Sequence, residues 1–239
     1  MSVPGAVVCL PTYNERENLE RVLRALEPYG VRVLVIDDNS PDGTGELADR
    51  LAAELDWVSV LHRPRKDGLG PAYLAGFGEV LAGDVEYVLE MDADLSHDPA
   101  VVPRLIEACT NGADVALGSR YVEGGGTENW GRGRRIVSAG GSLYARVLLG
   151  VGVRDLTGGF KCFRREVLET IDLGAIHSKG YAFQIEMTYR ALRAGFTVVE
   201  VPIVFADRTR GSSKMTRAIF LEAVARVPAL RLAALTGRL

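Results

Sequence analysis

The sequence has little cysteine and little histidine, with only three of each among 239 residues. Cys9, Cys109 and Cys162 are odd in number and far apart, which excludes a disulfide framework and the usual cysteine spacing of a zinc site. Reduced thiols, as in a cytosolic protein, are the expectation. The three histidines have no histidine or cysteine neighbours at metal-ligand spacing, so structural or exposed positions are predicted for them.

Long apolar runs are also absent. No stretch approaches the roughly 20 apolar residues that a membrane-spanning helix needs, so we expect no membrane span. The first apolar run, residues 6–11, is too short for the core of a signal peptide. A formal net charge of −3 argues against a general nucleic-acid binder. Since 47% of residues are hydrophobic and 25% are charged, the composition is that of a globular protein.

Two phosphate-binding loops are missing. The turn after the first predicted strand contains no glycine, so the dinucleotide motif G-x-G-x-x-G does not occur there. No G-x-x-x-x-G-K-[ST] loop occurs either. A nucleotide, if one binds, must be held by another arrangement.

What is present is an alternation of strands and helices. Apolar, β-rich runs predict strands over residues 6–11, 31–37, 58–62, 86–92 and 114–119. Amphipathic segments between them predict helices over 15–26, 43–55, 70–81 and 99–111. This order is typical of right-handed βαβ units, so the fold class is α/β with a mostly parallel sheet flanked by helices. Ligands of such sheets bind beyond the carboxyl ends of the strands.

The second half of the chain is less regular. Helical spacing covers residues 134–150, a helix ends at Gly195, and a strand interrupted by Pro202 is expected at an edge or a bend. Residues 206–214 form a polar, basic loop, and an amphipathic helix with Pro228 follows. We therefore predict one catalytic domain over residues 1–215 and a C-terminal amphipathic, membrane-proximal helix over 216–239.

Charge divides the chain in the same way. Residues 204–239 contain seven basic and two acidic side chains, a net +5, whereas residues 1–203 carry a net −8. A basic tail on an acidic body is suited to phosphates or to an anionic membrane surface.

The sharpest local signal is the acidic stretch EYVLEMDADLSHDP, residues 86–99. On a strand, residues two apart point to the same side, so Asp92 and Asp94 are predicted to converge on one hard cation, with Ser96 as a third candidate ligand. Oxygen ligands suit Mg²⁺ or Mn²⁺. Asp98 before Pro99 is interpreted instead as a helix N-cap.

A second acidic pair, Asp37 and Asp38, ends the second predicted strand. A carboxylate at this position can accept hydrogen bonds from a ribose or a base. The following residues, Asn39, Ser40 and Gly43, are interpreted as an ordinary turn.

The motifs taken together resemble family 2 glycosyltransferases of the GT-A fold, which is Rossmann-like. The resemblance is carried, in order, by LPTYNERENL, VIDDNSPDGT, GLGPAYLAGF and MDADLSHDP. The later stretches GSRYVEGGG, NWGRGRRIVSAGGSLYARVLLG, DLTGGFKCFRREVL and FADRTRGSSKM are similar to polyprenol-phosphate (dolichol-phosphate) mannose synthases. The similarity covers residues 6 to 216.

This resemblance implies transfer of mannose from GDP-mannose to a polyprenyl or dolichyl phosphate, with inversion at the sugar carbon and assistance from Mg²⁺ or Mn²⁺. The implied donor-binding residues are Pro11, Tyr13, Glu15, Asp38, Asp92, Ala93, Asp94, Arg208 and Lys214. The implied metal ligands are Asp92, Asp94 and Ser96, where many relatives have glutamine in place of the serine. The implied acceptor-phosphate ligands are Arg120, Arg134 and Ser138. The implied catalytic residues are Asp92, Asp94, Arg120 and Arg208.

The residue chemistry agrees with this. A phosphate monoester is ionised near neutral pH, so its oxygen can attack without a strong general base and needs placement and charge relief instead. Arginine matches phosphate bidentately, which suits Arg120, Arg134 and Arg135, although Arg135 is equally a solvated surface charge. Glu186 is either a supporting partner of the site or a surface acid.

A lipid acceptor implies a membrane surface. The helices at 134–150 and 217–235 combine apolar side chains with basic residues, so we hypothesise that they lie on the cytoplasmic face of a membrane. The apolar side chains are Ile136, Leu143 and Val147 in the first helix and Phe220, Val224 and Val227 in the second. The alternative is that both helices pack on the core of the domain. A membrane-spanning partner subunit stays open.

Two rival functions stay open at this stage. The enzyme could use a UDP-sugar and undecaprenyl phosphate, because no residue near Asp38 separates guanine from uracil. Alternatively, the chain could bind a nucleotide sugar without turnover. A nucleotidyltransferase would need a glycine-rich, lysine-containing loop after the first strand, and PTYNERE has none.

Overall fold

A computed structural model describes residues 5–207, 217–237 and 239. The strands of the described chain are β1 (Ala6–Thr12), β2 (Arg32–Asp37), β3 (Val58–His62), β4 (Tyr87–Glu90), β5 (Val115–Ser119), β6 (Gly126–Thr127), β7 (Lys161–Arg164), β8 (Val198–Pro202) and β9 (Val204–Phe205). The helices are α1 (Arg16–Leu26), α2 (Thr44–Glu54), α3 (Leu69–Leu81), α4 (Val102–Thr110), α5 (Arg132–Leu149), α6 (Arg165–Thr170), α7 (Gly180–Arg193) and α8 (Arg217–Leu235). The predicted alternation of strands and helices is confirmed.

Seven strands form one sheet in the order β3-β2-β1-β4-β7-β5-β8. All neighbours are parallel except at β7, which pairs antiparallel with both β4 and β5. The carboxyl ends of β1, β2, β4 and β5 therefore meet at one edge of the sheet. A small second sheet pairs β6 with β9.

Alternation along the strands supplies two apolar layers, because successive side chains point to opposite faces of a sheet. In β1, Val8 and Leu10 contribute to the core beneath α1, α2 and α4, while Val7 and Cys9 contribute to the core beneath α3, α6 and α7. All three cysteines are buried and form no disulfide. Residues buried on both faces explain why these strands read as continuous apolar runs.

A third core joins the end of the chain to the domain. Val227 and Leu230 of α8 are buried with Ile185 of α7 and with Ala145 and Leu149 of α5. The apolar face predicted for α8 is therefore wrong at Val227, which is 1% exposed and faces the core rather than the outside. The side chain of Phe220 lies outside the described residues. The division of the chain at residues 215 and 216 stays a prediction.

The boundaries differ from the predicted ones mainly at β4. The strand ends at Glu90, two residues before the predicted end, because Glu90 is the last residue with partners on both β1 and β7. Pro202 lies in β8, which is an edge strand as predicted. Asp98 caps a short 3₁₀ turn at Pro99–Val101 by accepting from the N–H of Ala100, which confirms its interpretation as an N-cap.

Candidate active site

The acidic stretch lies in a turn at the carboxyl end of β4. Because the strand stops at Glu90, the predicted route by which Asp92 and Asp94 converge, side-by-side placement on a strand, is wrong. The residues after Glu90 form a turn instead, in which Leu95 adopts a left-handed backbone conformation with φ of 60°. This conformation costs a residue other than glycine roughly 1–2 kcal/mol, and such strain is typical of functional sites.

Short hydrogen bonds hold this turn. Oδ1 of Asp94 accepts from the backbone N–H of Ser96 at 3.0 Å and from its hydroxyl at 2.6 Å. The N–H of Asp92 donates to Nδ1 of His97 at 3.1 Å. The His97 ring is buried and stacks on Phe160, with ring centroids 4.8 Å apart. His97 thus has the structural position predicted for the histidines, and it supports the aspartate turn from below.

A buried charged layer lies beneath the turn. Glu90 and Lys161 are fully buried on neighbouring strands, with Nζ of Lys161 3.7 Å from Oε2 of Glu90 and 3.0 Å from the carbonyl oxygen of Gln184. Burial raises the pKa of Glu90 to about 7, against the opposing charge of Lys161. Burial likewise lowers the pKa of Lys161 to about 8, against the charges of Glu90 and Asp155.

The electrostatics of this region fit a cation. Tyr73 is fully buried, and its pKa is raised well above 10 by burial and then by the negative charges of Asp92, Glu90, Cys9 and Asp94. In the described part of the chain, no group of three or more His, Cys, Asp or Glu side chains could hold a metal ion. Asp92, Asp94 and Ser96 all lie in this turn, and carboxylate and hydroxyl oxygens are the type of ligand that suits a hard divalent ion completed by water and phosphate.

The predicted donor-binding residues surround the ends of β1 and β2. Pro11 is in β1, and Tyr13 and Glu15 follow that strand. Oδ1 of Asp38 is 2.5 Å from Nη1 of Arg63, a residue just after β3. Burial raises the pKa of Asp38, and Arg63 partly offsets this effect. The ammonium of Lys66 lies 3.9 Å from the centroid of the Tyr13 ring.

Asp37, in contrast, is occupied in supporting the turn. Its carboxylate accepts from the Thr12 hydroxyl at 3.2 Å and from the Ser40 hydroxyl at 2.6 Å. The backbone N–H of Ser40 donates to the other oxygen at 3.1 Å. The interpretation of the residues after Asp38 as an ordinary turn agrees with this arrangement.

Arg120 follows β5 and is almost completely buried. Its Nε and Nη2 lie 2.7 and 2.6 Å from the two carboxylate oxygens of Asp155, a bidentate ion pair with a fully buried acid. Rings of Tyr121, Trp130 and Phe205 have their centroids 5.3 to 5.6 Å from its guanidinium carbon. Burial lowers the pKa of Arg120, but the hydrogen bonds and charge of Asp155 outweigh it and leave the pKa raised.

The other two predicted acceptor residues lie beside it. Arg134 packs on the same Trp130 ring, 4.0 Å from its centroid, and pairs with Asp207 at 2.6 Å. Ser138, one helical turn further along α5, accepts from the hydroxyl of Tyr121 at 2.8 Å. The structure therefore brings Arg120, Arg134 and Ser138 together. Arg135 points elsewhere, with Nη2 donating to the carbonyl oxygen of Thr127.

One aromatic ring joins the acidic and basic halves of the site. The Phe205 ring is 5.3 Å from the ring of His97, which supports the aspartate turn, and 5.6 Å from the guanidinium of Arg120. His97 of the aspartate turn and Arg120 after β5 thus both lie against a single side chain, although β7 separates the two strands.

Two predicted site residues, Arg208 and Lys214, lie outside the described residues. The sequence predicts Glu186 as either a supporting partner of the site or a surface acid, and the prediction of a surface acid is wrong. It is fully buried in α7, with Oε1 2.9 Å from Arg190 and Oε2 3.3 Å from Arg226 of α8, and it accepts from the Ser178 hydroxyl.

Sequence reasoning missed Asp155, Lys161, Arg63 and the position of His97. The motif DLTGGFK contains both Asp155 and Lys161. An acid and a lysine six residues apart carry no local sign of their partners. The signal for Arg63 was available, because a cation directly after a strand meets the carboxylates after the neighbouring strand.

A search against protein families matches residues 7–172 to the description "Glycosyl transferase family 2". The chain belongs to this family. It is 52% identical over 224 residues to a polyprenol monophosphomannose synthase of Mycolicibacterium smegmatis, covering 92% of this chain and 84% of that protein. It is 50% identical over 227 residues to an undecaprenyl-phosphate mannosyltransferase of Micrococcus luteus, covering 94% and 93%. The family predicted from the motifs is confirmed.

A third relative is longer. A dolichol-phosphate mannosyltransferase of Pyrococcus furiosus is 42% identical over 214 residues, which are 87% of this family 2 chain and 58% of that protein. All three relatives are named as enzymes that act with mannose and a lipid phosphate.

Solved structures share the fold. Glucosyl-3-phosphoglycerate synthase from Mycobacterium tuberculosis, in complex with Mn²⁺, UDP-glucose and phosphoglyceric acid, superposes with a TM-score of 0.66 at 20% identity over 93% of this chain and 79% of that one. A mannosyltransferase from Pyrobaculum calidifontis, in complex with GDP-mannose and Mn²⁺, has a TM-score of 0.58 at 16% identity over 98% and 74%. These neighbours confirm the predicted α/β GT-A fold, and both were solved with a divalent metal.

Proposed function

We propose that this family 2 glycosyltransferase moves mannose from GDP-mannose to a polyprenyl or dolichyl monophosphate, with inversion at the sugar carbon. The observation that carries the proposal is the Phe205 ring, which lies against both His97 of the aspartate turn and the buried, fixed Arg120. The names of the relatives at 42–52% identity support mannose as the sugar and a lipid phosphate as the acceptor.

On the donor side, Asp92 and Asp94 would hold Mg²⁺ or Mn²⁺, with Ser96 orienting Asp94 through its hydroxyl. When bound, the ion offsets negative charge on the departing diphosphate. Pro11, Tyr13, Glu15, Asp38 and Ala93 are proposed to line the nucleotide and diphosphate pocket, and Arg208 and Lys214 to bind the donor phosphates.

On the acceptor side, the phosphate needs orientation and a positive field. Arg120, Arg134 and Ser138 are proposed to supply two guanidinium groups and a hydroxyl. In support, both arginines lie against the Trp130 ring, and Ser138 accepts from Tyr121, whose ring also lies against Arg120. An acceptor oxygen forms the new bond to the sugar carbon as the bond to the diphosphate breaks, and GDP leaves with the electron pair. No proton has to be removed from the attacking oxygen, which accounts for a site without a dedicated general base.

The decisive experiment is an assay of purified protein with GDP-mannose and a polyprenyl phosphate, read by mass spectrometry of the lipid product. It is run with Mg²⁺ or Mn²⁺, with a chelator, and with Asp94→Ala. We expect wild-type protein to form mannosyl lipid when metal is present. We expect no mannosyl lipid when the chelator is added or when Asp94→Ala replaces the wild type.

The rival functions give different results in the same assay. If product forms from a UDP-sugar and not from GDP-mannose, the proposed donor is wrong and the proposed site residues still stand. Tight nucleotide-sugar binding without any product would point to a binding module or to the need for a membrane-spanning partner subunit. Binding retained by Asp94→Ala, with no wild-type turnover, would favour the binding module.

We further propose a membrane surface as the place of action, on its cytoplasmic face. No helix of the described residues is long and apolar enough to cross a bilayer. Helix α5 nevertheless exposes 73% of Ile136, 56% of Leu143 and 71% of Val147, beside Arg134 and Arg135. An apolar stripe next to basic residues is suited to anionic lipid, and it lies on the helix that carries the proposed acceptor ligands.

Flotation with vesicles of phosphatidylcholine and phosphatidylglycerol tests this. The pair Ile136→Asp and Val147→Asp should reduce vesicle binding at least about 10-fold, because two apolar side chains are withdrawn from lipid and two like charges are added. Leu232→Asp on α8, where the side chain is 64% exposed, is the matched control and should have a smaller effect. Equal effects would shift the lipid contact towards α8.

A further inference from the structure

We propose that Asp155 is a positioning residue for the acceptor, which fixes the guanidinium of Arg120 so that Nη1 is presented to the acceptor phosphate. This inference rests on the proposed function and extends it to a residue that never touches the substrate. Asp155 and Arg120 are 35 residues apart in the chain and form the most extensively hydrogen-bonded ion pair of the candidate site.

The contacts of Arg120 define which nitrogen is left. Nε donates to one carboxylate oxygen of Asp155, and Nη2 donates to the other oxygen and to the Thr157 hydroxyl at 2.9 Å. The backbone N–H of Arg120 also donates to Asp155, at 2.9 Å. Of the five N–H donors of a guanidinium, those on Nη1 have no partner among the described residues. The ion pair with Asp155 therefore leaves the Nη1 edge of the Arg120 guanidinium for a second oxyanion.

Asp155 is itself held rigidly. It is fully buried, and its backbone N–H and that of Arg154 donate to the two oxygens of Glu200 in β8, at 3.0 and 2.8 Å. Thr157 lies 3.1 Å from the hydroxyl of Ser142 in α5, the helix that also carries Arg134 and Ser138. The support of Arg120 is thus tied to the helix that supplies the other two proposed phosphate ligands.

The surroundings restrict Arg120 further. Tyr121, Trp130 and Phe205 stand around the guanidinium, and only 6% of the side chain is exposed. A buried ion pair contributes little net stability compared with an apolar pair of the same volume, so stability alone gives a weak reason for its presence. A stronger reason for the ion pair is that it fixes the Arg120 cation in place before the acceptor binds. Displacement of a binding group by 1 Å can reduce the rate about 100-fold.

The test is a double-variant cycle in the holoenzyme assay with GDP-mannose, metal and polyprenyl phosphate. Asp155→Asn keeps the volume and removes the charge, and Arg120→Lys keeps the charge and removes the fork. Asp155→Asn should raise the KM for polyprenyl phosphate about 10- to 100-fold and change the KM for GDP-mannose less than 2-fold. In the Arg120→Lys background, Asp155→Asn should add almost nothing.

Two further variants keep the test informative if Asp155→Asn folds poorly. Thr157→Val removes one hydroxyl that accepts from Nη2 of Arg120, and it should raise the same KM by a few-fold. Glu169→Gln removes the charge from the solvent-accessible Arg165–Glu169 pair, which has the same 2.6 Å separation within α6, and it should change neither KM. Losses that are additive with Arg120→Lys, or that affect GDP-mannose equally, would overturn the inference.

A binding measurement separates this inference from the proposed function. If wild-type protein makes no mannosyl lipid, binding of polyprenyl phosphate and of the matching polyprenol is compared directly. Preference for the phosphate in the wild type, lost in Asp155→Asn, supports the positioning role whichever sugar is transferred. Equal binding of phosphate and alcohol by the wild type, or an undiminished preference in the variant, overturns it.

Discussion

The two halves of the candidate site are stabilised over very different distances along the chain. On the acidic side, Asp94 is bound by Ser96 and Asp37 by Ser40, two and three residues away. On the basic side, Arg120 is bound by Asp155 and Arg134 by Asp207, at separations of 35 and 73 residues. The aspartate turn after β4 largely supports itself, whereas the arginines are held by the tertiary fold.

This difference has an energetic consequence. Substitutions in a self-supporting turn should affect chemistry while leaving the rest of the molecule stable. Substitutions in the arginine half should affect chemistry and stability together, because they leave a buried charge without its partner.

The largest expected effect is on turnover and comes from Asp94→Asn. The amide oxygen can still accept from Ser96, so the free energy of unfolding should change by less than about 1 kcal/mol. Turnover should fall roughly 1,000-fold, since the charge that would hold the cation is removed. Urea unfolding and product formation are measured on the same preparation; strong destabilisation would show that the turn does not support itself.

Arg120→Met should give the largest loss of stability. It leaves the Asp155 carboxylate fully buried without its cation, so unfolding should become easier by about 3–5 kcal/mol in urea titrations. Adding Asp155→Leu should restore much of this loss, because the buried charge is then gone. If Arg120→Met alone is as stable as the wild type, the contrast in stability between the acidic half and the arginine half of the site is removed.

The buried pair beneath the site predicts a dependence of stability on pH. The pKa of Glu90 is about 7 in the folded protein against an ordinary 4.5, so the folded state keeps this proton longer and loses stability as pH rises from 4.5 to 7. The pKa of Lys161 is about 8 against 10.5, so stability returns between pH 8 and 10.5. The Glu90 contribution approaches about 1.4 kcal/mol per pH unit for one proton.

The matched variant for this test is Glu90→Gln with Lys161→Met, which removes both charges at similar volume. Unfolding free energies are compared in chelator at half-unit steps from pH 5 to 8. The wild-type curve should fall relative to that of the variant as pH approaches 7. Parallel curves would mean that the pair does not titrate in this range.

The smallest expected effect is that of Ser96→Ala. One hydroxyl contact to Asp94 is lost, so stability should fall by about 0.5–1.5 kcal/mol and turnover by a few-fold. The Mn²⁺ affinity of the variant, measured by electron paramagnetic resonance, checks whether the Ser96 hydroxyl acts on the cation or only on Asp94. A loss as large as that of Asp94→Asn would make Ser96 a principal ligand.

The same contrast explains how far the sequence could predict the molecule. The parallel sheet was predictable because alternation of short apolar runs and amphipathic segments is a local property. The acidic turns were predictable because their residues are adjacent, although the stop of β4 at Glu90 depends on where β1 and β7 pair with it. The partners of Arg120 and Lys161 were not predictable, since they lie elsewhere in the fold and show no local pattern. For Glu186, the pairing with Arg190 has local i,i+4 spacing on α7, whereas the pairing with Arg226 of α8 has no local sign.

The lone antiparallel strand has a consequence for the order of folding. Residues 5–110 contain β1 to β4, which can pair into a four-stranded sheet as soon as they are available. β5, completed at Ser119, has no partner among them, because its neighbours are β7 and β8. We therefore expect Arg120 to lack its ion-pair partner until residues 155–164, which contain both Asp155 and β7, are in place. This one short segment would thus join β4 to β5 in the sheet and supply the Asp155 carboxylate that pairs with Arg120, in the same folding step.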